Sequence, residues 1–289
     1  MAVPVRVIRR RVKSVSSTKK ITGAMELVAA SKMRRATSRA LSSRRYAAAG
    51  VEMAESLAAG GELTHPLFLS RPVKKVLLVL TTSHRGLAGG FNGNVIKACF
   101  DFIGGKPGLE FSFATVGRKG EEALRRSGRK IVASFLSGGD TPSFADATPI
   151  ADFCRSEFFA GAADQIFLAY TEFVSAVNQK PIVRRLLPIQ MSEAASKPAG
   201  GASEIIFEPS RQEIYDAVLP KMVDLQVYQA LLESAASEHS ARMVAMKNAT
   251  DAAREMIDDL TLTLNQARQS AITREISEIA ASKAALGAG

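Results

Sequence analysis

The run Ser83-His84-Arg85-Gly86-Leu87-Ala88-Gly89-Gly90-Phe91-Asn92-Gly93 comes nearest, in residue types and spacing, to a chemical site. It falls where a strand gives way to a helix, the place at which backbone N–H groups cradle phosphate. Neither standard fingerprint is met: GxxxxGK[ST] needs a Lys and a hydroxyl residue after the glycines, and the GxGxxG spacing is absent. Glycines that permit a tight turn and a close backbone approach account for the run without a ligand. His65, His84 and His239 are scattered, with no second ligand type at metal spacing, so no metal and no cofactor are expected. There is no GxSxG motif and no carboxylate pair in a glycine-flanked pocket, which leaves catalysis without a seat. Cys99 and Cys154 form no CxxC and read as reduced thiols.

Charge points to a partner. Residues 1 to 50 hold thirteen Lys or Arg against one acid, Glu26, a formal +12, while the other 239 residues carry −2. A helix that basic expects an acidic or polyanionic surface: nucleic acid, an anionic membrane or an acidic protein loop. The longest strongly apolar stretch, Val76 to Leu80, is strand-sized, and nothing approaches a membrane span. The N-terminus has arginines but no apolar signal core, so it reads as mature protein, with a mitochondrial transit peptide the weaker alternative.

These groups must be positioned by the elements around them. Lys221 to Leu286 contains neither Gly nor Pro, and these 66 residues predict one helix about 100 Å long. Its seam residues recur in two heptad columns: Leu225, Leu232, His239, Met246, Ala253, Leu260 and Ala267, and Gln229, Ala236, Met243, Thr250, Ile257, Leu264 and Ala271. Such spacing requires a partner helix along the length. The other end of the chain offers one, with a weaker stripe at Val12, Val15, Ile21, Met25 and Val28, followed by Ala29, Ala30, Met33, Ala36 and Ala40. Because the intervening chain folds back, the two pair antiparallel. Glu238 stands four residues before Arg242, a favourable helical ion pair that accounts for Arg242 as well as a functional role does. Asn265, Gln266, Arg268 and Gln269 make a polar cluster. Beyond it Ile272, Ile276, Ile279 and Ala280 to Leu286 give an apolar, small-residue tip that extends past the N-terminal helix and needs a sheath.

Between about Gly60 and Glu204, β-rich runs alternate with helical ones. Strands are predicted at Val73–Thr81, Leu109–Val116, Ile131–Leu136, Gln165–Thr171 and Pro181–Ile189, and helices at Asn94–Phe102, Arg118–Arg126 and Pro149–Ala160. Lys197 to Ala202 reads as a loop. The alternation predicts a Rossmann-like α/β domain, a mostly parallel sheet covered on both faces. The chain therefore divides into an N-terminal coiled-coil helix (1–59), a central α/β domain (60–205) and a C-terminal coiled-coil helix (206–289).

Three segments in this order resemble the gamma subunit of the F-type ATP synthase: Lys19 to Ala36 (KKITGAMELVAASKMRRA), the Ser83 to Asn92 turn, similar to the family's SDRGLCGGFN, and the C-terminal stretches Ala236 to Met246 (ASEHSARMVAM) and Leu264 to Thr273 (LNQARQSAIT). Gly23 stands where the family usually has Lys, His84 where it has Asp and Ala88 where it often has Cys. The regulatory dithiol segment of plastid members has no counterpart. The resemblance implies a non-catalytic rotor shaft: a coiled coil inside a ring of three alpha and three beta subunits, coupling ion flux to ATP synthesis or hydrolysis at the beta subunits. The α/β domain would carry the epsilon subunit and the membrane ring of c subunits. It further implies that Arg268 and Gln269 grip a beta-subunit loop with Thr273 close by, and that Met25 and Arg242 lie near the beta subunit's acidic lever. Lys20 and Lys32 of the basic helix and Ile276 and Ile279 of the tip complete the ring-facing set. The implied location is peripheral, on the cytoplasmic face of a bacterial inner membrane, without membrane insertion. Two rival readings are a dinucleotide-dependent oxidoreductase, which lacks its fingerprint, and a basic coiled-coil nucleic-acid-binding protein. Residues 6 to 45 of the latter have no aromatic platform for base stacking.

Overall fold

A computed structural model describes residues 5–58, 65–136, 141–189 and 211–286. The predicted loop at Lys197 to Ala202 lies outside them. The chain forms two compact units, Met1–Val28 with Met243–Gly289, and Ala29–Arg242. Two long helices run through both, α1 (Val5–Ala58) and α5 (Arg211–Leu286).

In the larger unit, β1 (Lys75–Thr81), β2 (Glu110–Val116), β3 (Ile131–Phe135), β4 (Gln165–Phe173) and β5 (Gln179–Leu187) form one sheet in the order β3-β2-β1-β4-β5. The first three neighbour pairs are parallel and β4–β5 is an antiparallel hairpin. Between the parallel strands stand α2 (Phe91–Gly104), α3 (Arg118–Arg126) and α4 (Phe144–Phe159). Strand residues alternate between two cores, as the two-residue side-chain period requires. Val76, Leu78, Leu80, Phe113 and Phe167 pack with Val95 and Cys99 of α2 and Leu124 of α3. Leu77, Val79, Ile166, Leu168 and Tyr170 pack with Ile150, Cys154 and Phe158 of α4 and Leu219, Val223 and Val227 of α5. The sheet is thus mostly parallel and covered on both faces, as expected of a Rossmann-like domain. Burial pushes both the Cys99 and the Cys154 thiol up to about 12, so neither is a thiolate at neutral pH.

Helix α2 starts at Phe91, three residues earlier than predicted, and two further helices start early by running through a proline. Ser143 and Asp146 form a capping pair, with Ser143 N–H donating to Asp146 Oδ2 at 2.7 Å, and α4 starts at Phe144 rather than at Pro149. Helix α5 begins ten residues before Lys221 and includes Pro220. The Pro220 carbonyl accepts from Arg155 Nη1 at 2.9 Å, and the same guanidinium pairs with buried Asp224. Packing on the sheet and this ion pair outweigh the backbone bond that each proline removes.

The helix pair is antiparallel in each unit. In the smaller one, the Thr22 and Thr250 hydroxyls lie 2.8 Å apart. Between Asp251 and Lys283 the only residues of α5 withdrawn from solvent are Ala253, Ile257, Leu260, Leu264, Ala267 and Ala271, which are the two predicted columns. On α1 the outcome differs. The withdrawn heptad runs Val5, Ile8, Val12, Val15, Lys19, Thr22 and Glu26, while Ile21 and Val28 are 60% and 53% exposed. Val12, Val15 and Met25 of the predicted stripe are withdrawn as expected, and polar Lys19, Thr22 and Glu26 hold the seam where Ile21 and Val28 are predicted. In the larger unit, Ala36 of α1, Ala236 of α5 and Phe173 of β4 form a small shared core. Beside it Gln229 Nε2 donates to the Ala40 carbonyl at 3.3 Å, and Arg44 pairs with buried Glu233 at 2.8 Å.

One substitution carries opposite signs at two glycines. A Cβ on Gly23 meets nothing closer than Thr250 Cγ2 at 3.9 Å, so Gly23→Ala is expected to stabilise by about 0.5–1 kcal/mol through helix propensity. A Cβ on Gly117, at φ +96°, falls 2.0 Å from the Thr82 carbonyl oxygen, so Gly117→Ala is expected to cost about 3 kcal/mol or more. Urea unfolding of the two variants reads both. Burial also holds the His65 imidazole below its usual value, only partly opposed by Asp216. The unfolded chain therefore binds this proton first, and the stability His65 contributes is lost as pH falls below about 6.5 toward the folded value. A ring titration by NMR should place its midpoint under that of a model peptide, and His65→Gln should make the acid limb of stability shallower.

Candidate functional site

The glycine-rich turn links β1 to α2 and is knitted by its own side chains. Ser83 N–H donates to Asn92 Oδ1 at 3.0 Å, Asn92 Nδ2 donates to Ser83 Oγ at 2.8 Å, and Ser83 Oγ donates to the Arg85 carbonyl at 2.6 Å. Leu87 and Gly89 take left-handed backbone at φ +63° and +55°. Ala88 and Phe91 anchor the turn in the protein, while Leu87 projects into solvent. Behind it Thr82 Oγ1 accepts from the Gly120 N–H at 2.8 Å, which is why Gly120 and Gly117 must lack side chains. His84 keeps its Nε2 buried without a hydrogen-bond partner among the described residues.

Arg242 meets this turn. Its Nη2 donates to the Gly86 carbonyl at 3.3 Å and pairs with Glu238 at 2.8 Å, and its Nη1 lies 3.4 Å from His239 Nδ1. Only 13% of its side chain is exposed. The predicted pair with Glu238 is present, and the contact with Gly86, 156 positions away, is one that spacing did not reveal. Lys32 is half-buried in the same unit.

The remaining ring-facing candidates lie in the smaller unit. Lys20 is exposed and Met25 half-buried on α1. On α5, Arg268, Gln269 and Thr273 are exposed, as are Ile276 and Ile279 at 61% and 68%. Gln269, Ile272, Ile276 and Ile279 are spaced three and four apart and share one face of the helix, distinct from the face of the seam. Every residue from Ile272 to Lys283 is exposed, so the apolar stripe here has no cover among the described residues. The side chains of Ala284, Ala285 and Leu286 lie outside the described residues.

Basic residues dominate the solvent face of α1. Arg6, Arg10, Lys13, Lys20 and Arg35 are all exposed, with Ile21, Leu27 and Val28 among them. A positive surface interleaved with aliphatic groups suits an acidic protein segment that also presents apolar side chains. Among the described residues no three His, Cys, Asp or Glu side chains converge to hold a metal ion.

Since the stripe carries no packing, Ile276→Ser with Ile279→Ser should shift the free energy of unfolding by no more than about 0.5 kcal/mol while weakening self-association of the isolated chain. Denaturant unfolding and light scattering measure the two effects. A large loss of stability would mean that the stripe is packed in solution.

Comparison with known proteins agrees over the whole length. A family model described as ATP synthase matches residues 4–286. The ATP synthase gamma chain of Dehalococcoides mccartyi strain CBDB1 is 43% identical over 284 residues, covering 97% of this chain and 98% of the relative. That of Heliobacterium modesticaldum is 44% identical over 287 residues, with 97% and 98% covered. That of Legionella pneumophila strain Paris is 40% identical over 282 residues, with 96% and 98% covered. Among solved structures, the central stalk and c-ring of the Tetrahymena thermophila mitochondrial ATP synthase contains a chain 28% identical, matching 79% of this chain and 99% of its own length with a TM-score of 0.61. A chain of the Euglena gracilis mitochondrial enzyme, 20% identical, shares the fold over 99% of this chain and 95% of its own with a TM-score of 0.72. The antiparallel helix pair, the five-stranded sheet with its glycine-rich turn and this near full-length match together show that the chain belongs to the ATP synthase gamma-chain family.

Proposed function

We propose that this chain is the central shaft of a rotary ATP synthase, turning inside a ring of alpha and beta subunits and coupling ion flux to ATP synthesis or hydrolysis at the beta subunits. The observation that carries the reading is a paired helix whose α5 continues exposed over Ile272–Lys283, with an apolar stripe at Ile272, Ile276 and Ile279. A stripe of that kind needs a surrounding sleeve, and small residues offer a sleeve few obstacles. One chain inside a three-fold collar cannot present the same surface to all three catalytic sites. Each orientation biases the sites differently, and differential contacts are all that such coupling requires. The chain itself is non-catalytic.

Its partners are the alpha and beta subunits, the epsilon subunit and the c-ring. Lys20, Met25, Lys32, Arg242, Arg268, Gln269, Thr273, Ile276 and Ile279 are the positions we assign to the ring. Exposure supports Lys20, Arg268, Gln269, Thr273, Ile276 and Ile279 as direct contacts, whereas Arg242, held by internal partners, would act through the turn it grips. Residues 1–59 and 206–289 serve as shaft and 60–205 as the domain outside the ring. Family membership leaves the nucleic-acid reading without support. The gamma chain is part of the peripheral F1 sector, and no helix among the described residues is long and apolar enough to cross a membrane. The bacterial sources of the most similar gamma chains support a place on the cytoplasmic face of a bacterial inner membrane.

Mixing the purified chain with alpha and beta subunits tests the reading. A complex of three alpha, three beta and one copy of this chain should form, and its ATP hydrolysis should collapse when Arg268 and Gln269 are changed to Ala. Failure to assemble with matched subunits would refute the shaft role, and unchanged hydrolysis in the variant would remove those two residues from the ring contact.

A further inference from the structure

An open, doubly wound sheet takes its ligand outside the carboxyl ends of its strands, where the strand order reverses. Here that point lies between β1 and β4. The crevice is occupied by the chain's own helix α5. Ser237 Oγ donates to the Thr171 carbonyl at 3.2 Å, Ser240 Oγ donates to the Ala176 carbonyl at 2.5 Å, and Arg242 Nη2 donates to the Gly86 carbonyl at 3.3 Å. These acceptors come from the end of β4, the β4–β5 hairpin and the turn after β1.

Of these acceptors the Thr171 carbonyl is one the sheet leaves open, while the Ala176 carbonyl is shared with Gln179 Nε2 at 3.0 Å. Thr171 stands two residues beyond Ala169, the last residue of β4 in register with β1, and its opposite number on β5 is Pro181, which has no N–H. The donors are buried for this purpose: Ser237 and Ser240 are wholly enclosed. Gln179 Nε2 adds a donor to Ser240 Oγ at 3.4 Å. A nucleotide-binding turn offers N–H groups to an anion, whereas this one offers a carbonyl to a guanidinium, which accounts for glycines without a phosphate fingerprint.

We propose that the crevice at the ends of β1 and β4 is a receptor for the shaft helix, and that Ser237 and Ser240, with Arg242, are the positioning residues that make α5 and the α/β domain turn as one body. Apolar packing is non-directional; α5 packs on the sheet through Leu219, Met222, Val223, Val227, Ala230 and Leu231, all before Ser237 in the chain, and at the strand ends adds, among the described residues, only Ala236 beside Phe173 and Ala36, so rotation there is resisted weakly. Hydrogen bonds to fixed carbonyls have preferred angles and resist both.

The proposal rests on the shaft function, and the experiment separates the two. The complete membrane-bound complex, reconstituted in vesicles, is assayed for ATP hydrolysis and for proton uptake per ATP hydrolysed. If the wild-type complex does not pump, the shaft reading fails. Given that it pumps, Ser237→Ala with Ser240→Ala should leave hydrolysis in place but lower proton uptake per ATP, since it removes two hydrogen bonds that each control a factor of about five in the equilibrium between held and released helix. A role confined to stability would reduce assembly and hydrolysis together and leave the ratio unchanged. Hydrogen exchange in the full chain supplies a second reading: hairpin amides of residues 174–178 should exchange about fivefold faster in the same variant, and turn amides of residues 84–88 in Arg242→Lys. A wild-type pumping ratio together with unchanged exchange would overturn the proposal. Should the double variant fail to assemble, Ser240→Ala alone is put to the same two measurements, and the same pair of results decides.

Discussion

A helix of 76 residues cannot bury itself, and its dependence on a partner along its length is the constraint from which the rest of this protein follows. Two α-helices remain in contact over many turns only when their facing residues recur every three and four positions. Small side chains then bring the axes close, as Ala29, Ala36 and Ala40 of α1 and Ala236 of α5 show by their nearly complete burial. Meeting this demand uses both ends of the chain and confines the α/β domain to the segment between them.

The domain serves the helices in turn. Its second core is as much α5 as sheet, since Leu219, Met222, Val223, Val227, Ala230 and Leu231 pack on the strands beside α4. Polar groups then fix what hydrophobic burial leaves free to slide. Arg44 donates both to Glu233 and to the Phe173 carbonyl, joining α1, α5 and the end of β4 at one point. Glu233 is buried, and Arg44 and Gln229 both donate to its Oε1. A buried polar group of this sort at a helical seam selects one register over its neighbours.

The same logic explains what stands at the carboxyl ends of this Rossmann-like sheet. The crevice that would receive a cofactor holds Ser237, Ser240 and Arg242 instead, and the glycine-rich turn ends as a carbonyl acceptor. A fold licenses many functions, and the groups placed at its site decide among them.

Much of this was legible in the residues. The heptad columns of α5 were, because Ala253 to Ala271 are the positions that a 3.5-residue repeat turns inward, and so were the five strands, whose β-branched and apolar runs are bounded by Gly and Pro. What the sequence by itself determined was the periodic: a seam on one helix, alternating strands and helices, and a basic end. Tertiary structure alone decided the rest, for three physical reasons. Lys19, Thr22 and Glu26 hold seam positions through packing and a Thr22–Thr250 contact, against their polarity. Pro149 and Pro220 lie inside helices because packing and an ion pair outweigh one missing bond each. The grip of α5 on the sheet joins Ser237 to Thr171, Ser240 to Ala176 and Arg242 to Gly86 through backbone carbonyls, which every residue carries and no residue type announces.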